Sequence, residues 1–542
     1  MFLLAVVLAN LLAQLWVVRL DLTQDKRHTL SAETKQLCHN LNGDVEVAVY
    51  LQANVNSGFL RLASATRQLM QEMSVYGNIH YSFVNPNDLT DREKRALDES
   101  LLRHNLHPTA IYESADNQSR KETIVYPFAL LKYGDRQQWV SLLRNRRDLS
   151  GTENLNQSIE TLEYTFSLAL NSLMQFERRK VVFLEGQGEL GEQNTQDVQT
   201  ALAEYFDVYR GTLTEDADCL SPFSAVIIAD PQQSFSEADK YIIDQYIMSG
   251  GRVLWLLNGV RFSEQVLQDE GFTPALSLDL NLTDLLFRYG VRINSRLLQD
   301  LQCISVPVDV SRNPDQPQWQ PMPWTYAPLL LTSSQSAVTC NLSPVLATFC
   351  SDLTTVGDDD NTEKTVLLAT SANSRALPVP GEVNLGELRQ DPALFNLSYL
   401  PVAVSLEGEF TSLFTHRMTP EGINLSSGKR TVSPRTKQIV VAAGSVIEND
   451  LQNGQPLPAG YDRYSHIQFA NRDFILNSLL WLTDYSNLLA LRKKEIPLRI
   501  LNKKSLQNGI ALPATLSIAL PLLLLAITGV AVQLTRKRKY TR

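Results

Sequence analysis

Residues 180–191 read KVVFLEGQGELG, an apolar run at 181–184 followed by Gly186-Gln187-Gly188-Glu189-Leu190-Gly191. A run that is apolar at every position is a strand buried on both faces, and glycines directly after it mark a tight turn. Downstream, Val198, Ala201, Leu202 and Tyr205 keep helical spacing. The stretch therefore reads strand, turn, helix. Working outward, 225–229 (AVIIA) is a second continuous apolar strand and 252–257, apolar after Arg252, is the next. Between them Ser236-x-x-Asp239 has the form of a capping box, opening a helix that stops at Ser249-Gly250-Gly251, where glycine supplies the left-handed C-terminal turn.

Apolar strands separated by helices predict a parallel sheet covered on both faces. We expect a Rossmann-like or glutamine-amidotransferase-like α/β domain over 178–490, with further strands at 365–369, 402–406 and 438–442 and a closing amphipathic helix at 472–483. Pro307, Pro314, Pro317, Pro321, Pro323 and Pro328 mark an irregular insertion over about 305–400, and the acidic run at 358–360 reads as a solvated loop.

Upstream, strand and helix alternate differently. Strands are expected at 45–51 and 79–84, helices at 61–76 and 90–103, then a strand at 110–112 and a hairpin-like pair near 126–132 and 139–143. The order βαβαββα, with a proline before the third strand, is compatible with a thioredoxin-like α/β domain at 19–153. The five cysteines, Cys38, Cys219, Cys303, Cys340 and Cys350, contain no C-x-x-C, so that domain has no dithiol chemistry and the chain no zinc ribbon. Buried free thiols and a disulfide among the last three are both open readings. A helix at 154–173 mixes apolar and polar residues, and 154–177 is expected to link the two domains.

The chain has 542 residues, 44% hydrophobic and 20% charged, and a net charge of -9. These are globular values, which exclude a disordered chain and a polytopic membrane protein. Yet 510–534 runs 25 residues without a charge, against the ~20 a helix needs to cross a bilayer. Arg536, Lys537, Arg538, Lys539 and Arg542 follow at once, and the positive-inside rule puts this tail (535–542) in the cytoplasm. Residues 1–18 are also uncharged and lack the basic n-region and A-x-A-like site of a cleaved signal. An uncleaved anchor is expected there, leaving the body outside and both termini in the cytoplasm, with a basic juxtamembrane segment at 491–509. An acidic body with one basic tip excludes nucleic acid as the main partner.

The G-x-G-x-x-G is placed as a dinucleotide fingerprint requires. Glu185, Glu189 and Glu192 nevertheless crowd the place of a pyrophosphate, and Tyr209-Arg210-Gly211 stands where a ribose-binding acid is sought, with Glu215 and Asp216 close by. A tight turn lining the C-terminal end of the sheet is the better reading, and no cofactor is expected. Ser427-Gly428-Lys429-Arg430 is not a P-loop, His104-x-x-His107 lacks a third metal ligand nearby, and no nucleophile motif is present.

Five blocks, at 19–31 (RLDLTQDKRHTLS), 155–166, 235–257, 278–304 and 469–501, together resemble the gliding-motility-associated ABC transporter auxiliary component, the GldG family. The resemblance implies a bacterial inner-membrane protein working with a multispan permease and a separate ATPase. The family's turn motif reads Gly-His-Gly-Glu, where this chain has Gln187, and its Asp-Gly-Asp is here Ala443-Gly444-Ser445. Both departures point to a non-enzymatic subunit, with a hydrolase or nucleotide-binding enzyme using the glycine loop, or a surface scaffold, as alternatives. The sequence names no substrate.

Overall fold

The computed structural model describes residues 29–51, 56–104, 106–114, 120–144, 150–175, 177–309, 311, 318–357, 361–385, 391–423, 428–452, 454–484, 489, 491 and 511–540. The expected anchor at 1–18, the acidic run at 358–360, Ser427, Arg542 and all of the juxtamembrane segment but Leu491 lie outside them. Two compact units divide the chain, Met1–Glu495 and Ile496–Arg542. The first is a mixed α/β body.

Its chain begins with α1 (Ala32–His39), β1 (Val45–Val49), α2 (Ser57–Tyr76), β2 (Ile79–Phe83) and α3 (Asp91–Arg103). A hairpin of β3 (Thr109–Ser114) and β4 (Arg120–Val125) follows, then β5 (Phe128–Tyr133), β6 (Arg136–Ser141) and α4 (Gly151–Met174). Four strands form a sheet in the order β2-β1-β5-β6, with β1 parallel to β2 and antiparallel to β5. The period of two sorts the side chains. Val45, Val47, Val49, Leu131 and Val140 join the core under α2 and α4, while Phe128, Leu130 and Trp139 meet Leu97 and Leu101 of α3 on the other face. The strand expected at 110–112 exists but pairs only with β4, outside the sheet.

Ser150 caps α4 by accepting from Glu153 N in a capping box. The mixed polarity of α4 has a plain cause: the helix packs on both sides. Leu162, Phe166, Ala169, Leu170 and Leu173 enter the N-terminal core, whereas Tyr164 and Leu168 enter the core of the next sheet.

That sheet has ten strands, nine on one path and a short tenth, Val345–Leu346, paired beside Leu329 and Leu330. Along the chain come β7 (Arg179–Glu185), α5 (Gln196–Ala203), β8 (Phe206–Thr212), β9 (Ala225–Ala229), α6 (Glu237–Met248) and β10 (Val253–Leu256). Then follow β11 (Cys303–Asp309), β12 (Trp319–Thr332), β13 (Thr362–Ala369), β14 (Pro401–Gly408), β15 (Thr436–Val441) and α7 (Asn471–Leu482). The spatial order is β11-β12-β13-β14-β15-β10-β9-β7-β8. From β8 to β15 every neighbouring pair is parallel. Val181 and Phe183 face Val198, Leu202 and Phe474, and Val182 and Leu184 face Tyr241, Ile242 and Met248, so both faces are covered as the apolar runs require.

Two expectations need correction. The strands expected at 365–369 and 402–406 are present as β13 and β14 but run antiparallel to their neighbours. An apolar run reports burial on both faces and says nothing of direction. The proline-rich start of the expected insertion is a long hairpin, β11 with β12, in which Pro307 faces Pro321 and Met322 faces Val306. Because β11 is the edge of the sheet, Pro307 deprives no further strand of a ladder bond.

The excursion between β14 and β15 is pinned by a buried carboxylate. Asp244 of α6 accepts from Tyr289 Oη (2.8 Å) and Leu413 N (3.0 Å) at Oδ1, and from Gln245 Nε2 (3.0 Å) and Ser412 Oγ (2.6 Å) at Oδ2. Gln245 in turn accepts from Arg430 N (2.8 Å) and donates to Arg430 O (3.1 Å). Asp244→Ala leaves several buried donors unmatched, so we expect it to lower unfolding stability by about 3 kcal/mol. Chemical denaturation of the purified protein measures this, and a loss below ~0.5 kcal/mol would remove Asp244 from the account.

Candidate functional site

The parallel strands run in the order β8-β7-β9-β10-β15, so the chain leaves β7 to one side and returns to β9 on the other. In open α/β sheets the crevice outside the carboxyl ends of two such strands is where ligands enter. Here it lies between the 186–191 loop, which follows β7, and the turn at 230–233, which follows β9. The sequence thus places Glu185, Gly186, Gln187, Gly188, Glu189 and Gly191 at the topologically expected place.

The crevice is filled by the chain itself. Gln187 O accepts from Gln232 N (2.9 Å) and Gln233 N (2.8 Å), and Leu190 N donates to Ala229 O (2.9 Å). Gly188, with φ +76°, lies so close that an added Cβ would stand 3.3 Å from Gln232 Cβ. Gln187 Nε2 reaches Asp239 Oδ2 at 3.4 Å, at the capping box that starts α6.

Arg210 braces the loop from β8. Its Nε donates to Glu185 Oε1 (2.6 Å), one terminal nitrogen to Leu190 O (2.6 Å) and the other to Thr195 Oγ1 (3.1 Å), with the guanidinium carbon 5.2 Å from the Phe183 ring centroid. Glu185 is therefore paired. Glu189 turns inward: Oε2 accepts from Gln187 N (2.7 Å), while Oε1 is buried without a donor. Burial pushes its carboxyl above the usual range, against the loop amides that pull it down.

The geometry departs from a dinucleotide site in three respects. The third glycine of a fingerprint serves close helix packing, yet a Cβ on Gly191 would meet nothing within 4 Å. The helix α5 opens only at Gln196, after a short 3-10 turn (Gln193–Thr195), and its Asp197 N is taken by Asn449 Oδ1 at 3.2 Å. A cation bonded to Glu185 occupies the position sought for a ribose-binding acid.

Further along the same edge, residues that sequence reasoning missed close the rim. Asn258 Nδ2 donates to Asp230 Oδ1 (2.7 Å), and Asn258 Oδ1 accepts from Gly444 N (2.9 Å). A Cβ on Gly444 would stand 2.2 Å from Asp230 Oδ1. The Asp230 backbone is itself left-handed (φ +54°). For Asp230 and Asn258 the sequence signal was position, directly after an apolar strand, whereas Gly444 stood out as the centre of the Ala443-Gly444-Ser445 departure. Elsewhere, among the described residues, there is a cavity of ≈ 490 Å³ beside Asp279, Asp284 and Phe287 and one of ≈ 680 Å³ between Gln138 and Lys180.

The topology residues Arg536, Lys537, Arg538 and Lys539 belong to α8 (Ala511–Tyr540), in the second unit. Its segment Ala519–Arg538 is long and apolar enough to cross a membrane. The five cysteines are free thiols, with Cys38, Cys340 and Cys350 buried.

Two outcomes follow for the rim. Gly444→Ala should cost about 1–3 kcal/mol because Asp230 must move, whereas Gly191→Ala should change stability by under ~0.5 kcal/mol; equal effects by denaturant titration would contradict the packing described. Because the folded state holds the proton of Glu189 more tightly than the unfolded chain does, ionisation of this carboxyl weighs against folding as pH rises through its raised pKa. Glu189→Gln should therefore raise the melting temperature by about 1–2 °C at pH 8 and bring no gain near pH 4. A lower melting temperature at pH 8 would show instead that the loop amides need the charge.

Comparison with known proteins bears on what this body serves. No curated protein matches the chain. Seven solved chains match, among them one titled "mmIFT52 N-terminal domain", 14% identical, covering 56% of this chain and 97% of that one with a TM-score of 0.32. Residues 24–132 match a domain of unknown function. Residues 178–478, from the start of β7 into α7 and more than half of the chain, match the family described as an ABC-type uncharacterized transport system. The chain belongs to that family and is an auxiliary component of an ABC transporter.

Proposed function

We propose that this chain is a non-enzymatic, membrane-anchored subunit of a bacterial ABC transporter of the gliding-motility or export type, working with a separate permease and ATPase. The α/β body stands on the outer side of the inner membrane, where it captures or guides a substrate. The anchors at 1–18 and 510–534 return both termini to the cytoplasm. Family membership supports the transporter reading. The observation that carries the non-enzymatic part is the filled crevice: where an α/β enzyme of this topology opens to a ligand, the amides of Gln232 and Gln233 both donate to the Gln187 carbonyl.

The finer fold assignments belong to the same reading. The order β2-β1-β5-β6, with one parallel pair, supports a thioredoxin-like scaffold at 19–153. The order β8-β7-β9-β10-β15 supports a Rossmann-like domain at 178–490, joined to it by the helix at 154–177. Without a C-x-x-C or an open switch point, both serve as surfaces.

A tagged chain purified from native membranes in mild detergent should bring down a multispan permease and an ABC ATPase, identified by mass spectrometry. Recovery of the chain alone, from membranes that contain both, would contradict the proposal. A reporter fused after Arg542 should be active only in the cytoplasm and one inserted at Asp358 only outside. Activity of both on one side would remove the two-anchor topology.

A further inference from the structure

We infer that the basic end of α8 binds the headgroups of anionic phospholipids, gathering them around the anchor in the cytoplasmic leaflet. The inference rests on the membrane-anchor reading above and adds the chemistry of the lipid. The helix continues without a break from Ala511 to Tyr540, so Arg536, Lys537, Arg538 and Lys539 lie on helical backbone. At 100° per residue these four positions fan around nearly the whole axis. Arg536, Lys537 and Arg538 are exposed, as are residues 519–535 before them.

Depth agrees with that reading. If Leu534 ends the apolar run at the hydrocarbon boundary, Arg536 stands about 3 Å and Lys539 about 8 Å beyond it. The headgroup layer is about 5–8 Å thick on each side. All four positions thus fall in the phosphate layer, which long basic side chains reach readily. Two hydroxyls just before them are satisfied within the helix: Thr528 Oγ1 bonds Leu524 O and Leu525 O, and Thr535 Oγ1 bonds Ala531 O and Val532 O, each at 2.9 Å.

The fan decides between a lipid and a protein partner. An acidic protein surface meets a helix from one side and engages two of four such cations. A lipid annulus meets it from every side and engages all four. The helix's own C-terminal carbonyls also favour cations, but only within the last turn.

The test uses the full chain reconstituted into phosphatidylcholine vesicles with trace spin-labelled phosphatidylglycerol or phosphatidylcholine. Electron paramagnetic resonance then reads the motionally restricted lipid at the protein surface. We expect phosphatidylglycerol to be enriched about fivefold over phosphatidylcholine at low salt, falling toward one in 1 M NaCl. Combined Arg536→Gln, Lys537→Gln, Arg538→Gln and Lys539→Gln should abolish the enrichment, whereas Lys537→Arg with Lys539→Arg should keep it. No enrichment in the native chain, or equal enrichment in the glutamine variant, overturns the inference. No enrichment together with loss of the ATPase from the variant's purified complex overturns it in favour of a protein partner. If neither lipid shows a restricted component and alkaline carbonate extracts the protein from membranes, the anchor reading itself has failed.

Discussion

The carbonyl of Gln187 accepts two backbone amides, and much of the rim depends on that junction. A parallel sheet whose chain reverses direction must part its loops somewhere, and the gap between β7 and β9 is where this sheet does so. Here the gap is bridged from within. The bonds from Gln232 and Gln233 tie the loop after β7 to the turn after β9, Arg210 holds its outer side, and Asn258 carries the connection on to Gly444. Each such bond contributes about 1 kcal/mol. Their joint effect is a continuous wall along the carboxyl edge of the strands.

A wall of this kind suits a body that works through its surfaces. The two sheets share α4, whose opposite sides belong to different cores, so the N-terminal part is packed against the larger sheet rather than hung on a linker. The excursion between β14 and β15 is likewise fixed, through Asp244 and Gln245, to the face of α6. Such coupling fits a subunit that presents one shaped surface to its partners.

The parallel half of the large sheet was legible because 181–184, 225–229 and 253–257 are apolar throughout, and glycines mark the turn after the first and the end of the helix before the third. Direction was not legible for 402–406, since a central strand buried on both faces has the same composition whichever way it runs. The β11–β12 hairpin was hidden by its prolines, of which Pro307 lies on the edge strand while Pro321 and Pro323 stand where β12 pairs with β11 alone. At the site, the glycines were found by motif and lie where the motif places them, but their meaning required geometry: Gly188 approaches Gln232, while Gly191 approaches nothing. Arg210 was visible as a residue of the wrong charge, and its bond to Glu185 neutralises one of the three glutamates of the loop. Asp230, Asn258 and Gly444 come together only through the sheet, from positions far apart in the chain.

The central claim is that the switch point is occupied by the protein itself and takes no nucleotide. Isothermal titration calorimetry of the purified full chain with NAD and with ATP tests it most directly. The account predicts no saturable heat with either. Micromolar binding, abolished by Gly188→Val in a protein that remains folded, would contradict it and make the glycine loop a nucleotide site.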